Sequence, residues 1–154
     1  MLFRSPYMRA KEFIDHYFES FKGVKKYIEA TIEEAKEKGF VETLYGRRRY
    51  LPEINSSVMQ VRKAAERMAV NTPLQGTAAD IIKIAMIHVA KWLETSGVNA
   101  RLLMQVHDEL VLEVEEKALE EVTKNISHLM SSAAKLDVPL LVESGTGHNW
   151  DEAH

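Results

Sequence analysis

No cysteine occurs in the chain. Disulfides and Cys-ligated zinc are thereby excluded, and the composition fits a reducing compartment, with the cytoplasm as the expected location. No apolar run approaches the ~20 residues a membrane span needs, so no membrane partner is expected. The opening Met1-Leu2-Phe3-Arg4-Ser5-Pro6 has no basic start, long apolar stretch or small-residue cleavage site, and reads as no signal peptide. Repeats and low-complexity tracts are missing too. A large excess of either sign of charge is missing as well: 20 Lys and Arg nearly balance 23 Asp and Glu, the net is −3, and whole-molecule electrostatics do not advertise nucleic-acid binding. What is there, 45% hydrophobic and 28% charged residues over 154 positions, describes a globular chain able to bury a useful core.

The local charge distribution says more than the sum. Between Arg47 and Arg67 lie Arg47, Arg48, Arg49, Arg62, Lys63 and Arg67, against only Glu53 and Glu66. Such a patch meets a phosphate backbone in some proteins and is a solvated charge run in others; composition does not separate the two. The stretch from Glu115 to Glu121 is acidic instead.

Periodicity outlines the elements. Ser5-Pro6 is a cap and first turn for a helix bearing Phe13, Ile14, Tyr17, Phe18 and Phe21 at helical spacing. A second helix is expected over 24–38, stopped by Gly39. Residues 40–45 read as a strand, with 47–51 returning after Gly46 as a short hairpin. A helix over 58–70 should break at Thr72-Pro73, because a residue before proline is pushed out of the α region. A new helix over 73–95 should then turn Leu74, Ala78, Ile81, Ile82, Ala85, Val89 and Leu93 inward, with Ile84, Ile87 and Trp92 widening the apolar surface. Strands over 101–106 and 110–114, a helix over 117–134 and a last strand over 140–143 complete the reading. A hairpin with helices beside it and no βαβ rhythm predicts an α+β fold with an antiparallel sheet covered on one face.

The corner between the two apolar strands, His107-Asp108-Glu109, breaks a local rule. A two-residue hairpin loop normally takes Asn-Gly, Asp-Gly or another glycine pair, since positive φ is required there. Here it bears two adjacent carboxylates beside a histidine. Like charges held close need a compensating cation, and Mg²⁺, which uses one or two carboxylates plus substrate phosphates, is a natural one. An ordinary polar turn at a sheet edge is the plain alternative.

Several blocks add context. Gln105-Val106-His107-Asp108-Glu109-Leu110-Val111 resembles the last polymerase motif of the bacterial DNA polymerase I family, known as family A. The segment from Arg67-Met68-Ala69-Val70-Asn71-Thr72-Pro73-Leu74-Gln75-Gly76 to Asp80-Ile81-Ile82-Lys83 resembles another of its motifs. Glu42-Thr43-Leu44-Tyr45-Gly46-Arg47-Arg48-Arg49-Tyr50-Leu51-Pro52 is similar to the segment before that, and Asn149-Trp150-Asp151 with Glu152-Ala153-His154 to the end of bacterial members. The blocks stand in family order and spacing from about Met8 to His154.

The resemblance implies an incomplete polymerase domain with a palm-type antiparallel sheet: residues 1–57 as the base of the fingers, 58–154 as the second half of the palm. It implies template-directed nucleotidyl transfer to a primer 3′-hydroxyl, with primer–template DNA and deoxynucleoside triphosphates as partners. Asp108 matches one of two aspartates that hold a pair of Mg²⁺ ions, Glu109 a supporting carboxylate, and His107 a residue placing the primer terminus. Arg67, Asn71 and Gln75 match residues against the primer–template minor groove, where N3 and O2 acceptors let pair shape be checked without reading sequence. Spacings of four put them on one helical face, which a break at Pro73 would interrupt. Gly76 permits close backbone approach, to a duplex or a neighbouring element. The Arg47-Arg48-Arg49 run reads as solvated surface or as a contact to template phosphates. Asp80, three residues from Lys83, is left outside the catalytic set.

The second metal aspartate of the family, in an Asp-Tyr-Ser-Gln-Ile-Glu type motif, has no counterpart here, nor has the nucleotide-binding fingers helix. Upstream thumb, palm and fingers segments of the same polymerase are therefore expected partners, Met1 to Tyr7 read as a truncated or misassigned start, and the isolated chain is expected to be inactive. A non-catalytic DNA-binding module derived from a polymerase palm is the alternative; it would keep Arg67, Asn71 and Gln75 without needing a metal at Asp108.

Overall fold

The structure, a computed structural model, describes residues 6–153. The expected cap at Ser5 and the terminal His154 lie outside them. Helix α1 (Pro6–Ser20) is followed by α2 (Lys22–Lys38), β1 (Phe40–Glu42), β2 (Arg48–Tyr50), the long α3 (Met59–Ser96), β3 (Ala100–Val106), β4 (Glu109–Val114), α4 (Leu119–Ser131) and the short α5 (Trp150–Ala153). A 3-10 turn at Glu116–Ala118 leads into α4. Mixed helix and strand with antiparallel pairing is the expected α+β class. No helix among the described residues is long and apolar enough to cross a membrane.

Contacts divide the chain into two compact units, Met1–Gly76 and Thr77–His154, with the boundary inside α3. In the first unit, α2 stops where Gly39 takes positive φ and returns its N–H to the Ala35 carbonyl. The chain then forms the β1–β2 hairpin in the register Phe40↔Tyr50, Val41↔Arg49 and Glu42↔Arg48. Leu51 donates its N–H to the Gly39 carbonyl at 2.8 Å, closing the hairpin's base. The core gathers Ala35, Val41, Leu51, Ile54, Ala65 and Ala69. Alanines four residues apart on α3 let it lie close to the rest of this core, while Leu51 and Ile54 supply its bulk, each about 1.5–3 kcal/mol when fully buried.

In the second unit the core is built on Val89 of α3 with Val122 and Ile126 of α4. Leu110, Leu112 and Val114 alternate along β4, so one face of the strand joins this cluster, as period-two patterning requires. Trp92, Leu93, Leu129 and Met130 pack around it. At the C-terminus Asn149 and Glu152 form a capping box for α5. Glu152 N–H donates to Asn149 Oδ1 at 3.0 Å, and Asn149 Nδ2 to Glu152 Oε1 at 2.7 Å.

Four expectations are corrected. Helix α3 does not break at Thr72-Pro73 but runs through it with Pro73 in its interior. Proline costs the Ala69 carbonyl its intrahelical donor, a local penalty of about 3 kcal/mol, yet packing on both sides outweighs it: Ala65 and Ala69 are buried before the proline, Ala85 and Val89 after. Residues 140–143 are not a strand; each sheet among the described residues has two strands, and this stretch has no partner for its backbone in either. The helix expected over 117–134 is shorter, ending at Ser131 with Ser132 closing its last turn. Leu74, Ala78 and Ile87 are exposed rather than turned inward.

Candidate nucleic-acid row and carboxylate turn

In the first unit, α3 buries Ala65 and Ala69 and therefore turns the positions two residues further on, Arg67 and Asn71, about 200° away toward solvent. Gln75 continues the row. All three are exposed, and because α3 is continuous through Pro73 they share a face about 12 Å long. Among the described residues none of the three side chains makes a hydrogen bond or ion pair. The row thus displays a guanidinium and two amides with their donors uncommitted.

The other cations of the basic stretch are engaged. Arg48 pairs with Glu42 at 2.6 Å and lies 4.4 Å from the centre of the Phe40 ring; the hydrogen bond it donates to Glu42 raises the guanidinium's pKa further. Arg62 donates to the Ser56 carbonyl at 2.9 Å, and Lys63 pairs with Glu66 at 3.1 Å. Arg47 Nη2 donates to the Gly76 carbonyl at 2.9 Å, and Arg49 Nη2 to the Met68 sulfur at 3.1 Å. All three arginines of the run are exposed, in keeping with a solvated surface, and two of them, Arg47 and Arg49, also bond the β1–β2 hairpin to α3.

Gly76 completes that seat. A Cβ there would stand 2.6 Å from Thr43 Cγ2 and 3.4 Å from Arg47 Nη2, so glycine is needed for the hairpin to approach. Thr43 is buried; its hydroxyl accepts from the Arg47 N–H at 3.2 Å and its N–H donates to the Arg47 carbonyl at 3.0 Å. Gly46, with φ 78°, makes the turn between them. Of the two uses that sequence left open for Gly76, packing against a neighbouring element is the one seen. Thr43 and Arg47 were not singled out beforehand; no local motif marks a contact made across the chain.

In the second unit, β3 and β4 pair in register up to Val106↔Glu109, leaving His107 and Asp108 as a two-residue turn. His107 takes φ 53°, the sole positive φ at a non-glycine residue among those described. A positive φ at the first loop position is the demand of a tight hairpin, met here without glycine at a cost of roughly 1–2 kcal/mol. Gln105 caps the turn by donating its side-chain amide to the His107 carbonyl. A bulge between Leu102 and Met104 leaves Leu103 as the extra residue below the tip.

This turn carries Asp108 fully outward. Among the described residues no hydrogen bond or ion pair holds its carboxylate. Glu109 follows as the first residue of β4, half-buried. Among the described residues no three His, Cys, Asp or Glu side chains converge as a metal cage. A hard cation that takes oxygen ligands would thus need, at Asp108, further ligands from outside these residues. For Mg²⁺, which typically takes one or two protein carboxylates and completes its shell with phosphates and water, one uncommitted carboxylate is a fitting partial set.

The comparisons with known proteins agree with one another. A family model described as DNA polymerase family A matches residues 3–152. DNA polymerase I of Pseudomonas aeruginosa is 60% identical over 145 residues, which cover 94% of this chain and 16% of that protein. The thermostable DNA polymerase I of Thermus filiformis is 54% identical over 147 residues, 96% of this chain and 17% of the relative. The chain therefore spans about a sixth of the length of these relatives. Among solved structures, the POL domain of Pol1 from M. smegmatis, in complex with DNA primer-template and dNTP, matches with a TM-score of 0.92 at 47% identity, over 95% of this chain and 26% of that one.

Proposed function

The chain belongs to DNA polymerase family A, and from that premise we propose that it supplies the base of the fingers (residues 1–57) and the second half of the palm (residues 58–154) of a DNA-directed DNA polymerase. The reaction is template-directed transfer of a deoxynucleoside monophosphate from a dNTP to a primer 3′-hydroxyl, with release of pyrophosphate. The observation that carries this reading is the contrast among charged groups: Arg67 and Asp108 are left uncommitted while the cations around Arg67 are bonded within the chain.

Each residue then has a task its chemistry permits. Arg67, Asn71 and Gln75 lie along the minor groove of primer–template DNA, donating to acceptors that every base pair presents, so duplex shape is sensed without sequence preference. The M. smegmatis relative, seen with primer-template and dNTP, supports this partner class. His107 places the primer terminus from the strained turn. Asp108 offers its carboxylate to Mg²⁺ shared with an aspartate supplied from another polymerase segment, and Glu109 supports it from β4. Bound there, two such ions supply charge neutralisation at the attacking and leaving oxygens. With a single metal aspartate in the chain, the 154 residues alone extend no primer.

A chimera tests this. Residues 3–152 replace the matched segment of the P. aeruginosa enzyme, and the product is assayed for primer extension. The unmodified chimera extends. Asp108→Ala lowers extension by at least about a thousand-fold, because a metal-held transition state loses its anchor. Duplex affinity stays within about three-fold, since the groove row is untouched. Near-normal extension by the variant overturns the assignment of Asp108, and a chimera that binds duplex without extending returns the chain to a binding module.

A further inference from the structure

Pro73 sits inside the exposed row, between Asn71 and Gln75, where it leaves the Ala69 carbonyl without its helical donor. An interior proline is where a helix is freest to kink, and a kink there would splay Gln75 from Arg67. The β1–β2 hairpin is attached to α3 on both sides of this weak point. Arg49 Nη2 reaches Met68, five residues before the proline, and Arg47 Nη2 reaches the Gly76 carbonyl, three residues after. The anchors stand eight residues apart, about 12 Å along the axis. The Gly76 carbonyl and the Met68 sulfur are both neutral acceptors. The intervening Arg48 points to Glu42 and the Phe40 ring instead, as alternation along a strand requires. Thr43, buried and bonded to Arg47 through both its backbone and its hydroxyl, stiffens the turn that carries the second anchor and packs against Gly76.

We infer that the β1–β2 hairpin is a brace across Pro73, with Arg47 and Arg49 as positioning residues that keep Arg67, Asn71 and Gln75 in one line for a duplex. The link to DNA rests on the role proposed for the row; the brace itself does not.

Amide hydrogen exchange on the 154-residue chain tests the brace without DNA. Arg47→Ala with Arg49→Ala speeds exchange of the amides at 74–77 by about ten-fold or more, relative to those of α4. Adding Pro73→Ala to that pair returns the donor to Ala69 and brings exchange back to within about three-fold of the parent. Unchanged exchange in the double variant, or no recovery with Pro73→Ala, overturns the brace. Should the double variant fail to fold, recovery of folding by Pro73→Ala supports it and continued failure overturns it.

In the chimeric polymerase, the double variant raises KM for primer–template about five-fold or more at nearly constant kcat, with an unaltered salt slope, and Pro73→Ala restores KM. A slope that falls by about one per arginine, without rescue, marks direct phosphate contacts and overturns the positioning role. Exchange that behaves as expected, with KM insensitive both to the pair and to Arg67→Ala, leaves the brace standing and removes the row from DNA binding.

Discussion

The two hairpins of this chain are built alike and spend their charges in opposite ways. Each is antiparallel and turns through a residue with positive φ, Gly46 in the first and His107 in the second. The β1–β2 hairpin returns its three arginines to the protein: to Gly76, to Glu42 and to Met68. The β3–β4 hairpin accepts backbone strain at His107 and holds Asp108 out with no hydrogen bond or ion pair among the described residues. A charge bonded within the fold is explained by the fold. An acid held outward on a strained turn is not, and the role proposed for Asp108 would give it a use.

The largest expected effect breaks or keeps that contrast. Asp108→Ala removes extension by the chimera, whereas Arg48→Ala, in the first hairpin, leaves extension within about two-fold because its partners Glu42 and Phe40 belong to the same hairpin. Parallel measurement of kcat and duplex affinity on the two variants decides it. Comparable losses at both positions would mean that engagement within the fold does not separate structural from functional charge.

The contrast was half legible in the sequence. Hairpin, helices and the α+β class follow from hydrophobic period, and the turn stands out because His107-Asp108 occupies the two loop positions without the glycine usual there. The inward stripe at Ala85 and Val89 and the α4 stripe at Val122 and Ile126 are likewise visible as helical spacing. Pro73 misled, because a local preference against helix was overruled by packing on either side, a tertiary effect that no window of sequence contains. The roles of Arg47 and Arg49 were illegible for the same reason: their acceptors, a carbonyl 29 positions away and a sulfur 19 positions away, carry no local signal. The expected strand over 140–143 rested on the short apolar run Leu140-Leu141-Val142 after Pro139, and such a run becomes a strand only where an edge receives it.

A smaller effect sharpens the first hairpin's side of the comparison. Gly76→Ala should gain up to about 1 kcal/mol from helix propensity and lose more, since Thr43 Cγ2 lies 2.6 Å from the new methyl and belongs to a buried, β-branched side chain. The expected net is a destabilisation of about 1–2 kcal/mol, read from a urea midpoint. Thr43→Ser, which keeps the hydroxyl bonded to the Arg47 N–H but deletes Cγ2, should recover most of that loss in the Gly76→Ala background. Additive losses in the double variant would show that the two residues do not meet.

The smallest expected effect lies in the second hairpin, at the cross-strand pair of Arg101 and Glu113, whose guanidinium reaches both carboxylate oxygens at 3.0 Å from directly opposite positions. Their side chains are 70% and 60% exposed, so water and salt screen the attraction, and ordering two long side chains offsets much of what remains. Arg101→Ala should therefore cost about 0.2–1 kcal/mol in low salt, with the difference from the parent shrinking toward zero in ~1 M NaCl. Urea unfolding at the two ionic strengths measures it. A loss of several kcal/mol that salt does not touch would mean the pair anchors the hairpin whose tip bears Asp108. The outward acid would then have a neighbouring charge as its support, and the turn's strain would no longer stand alone as the feature that sets this hairpin apart.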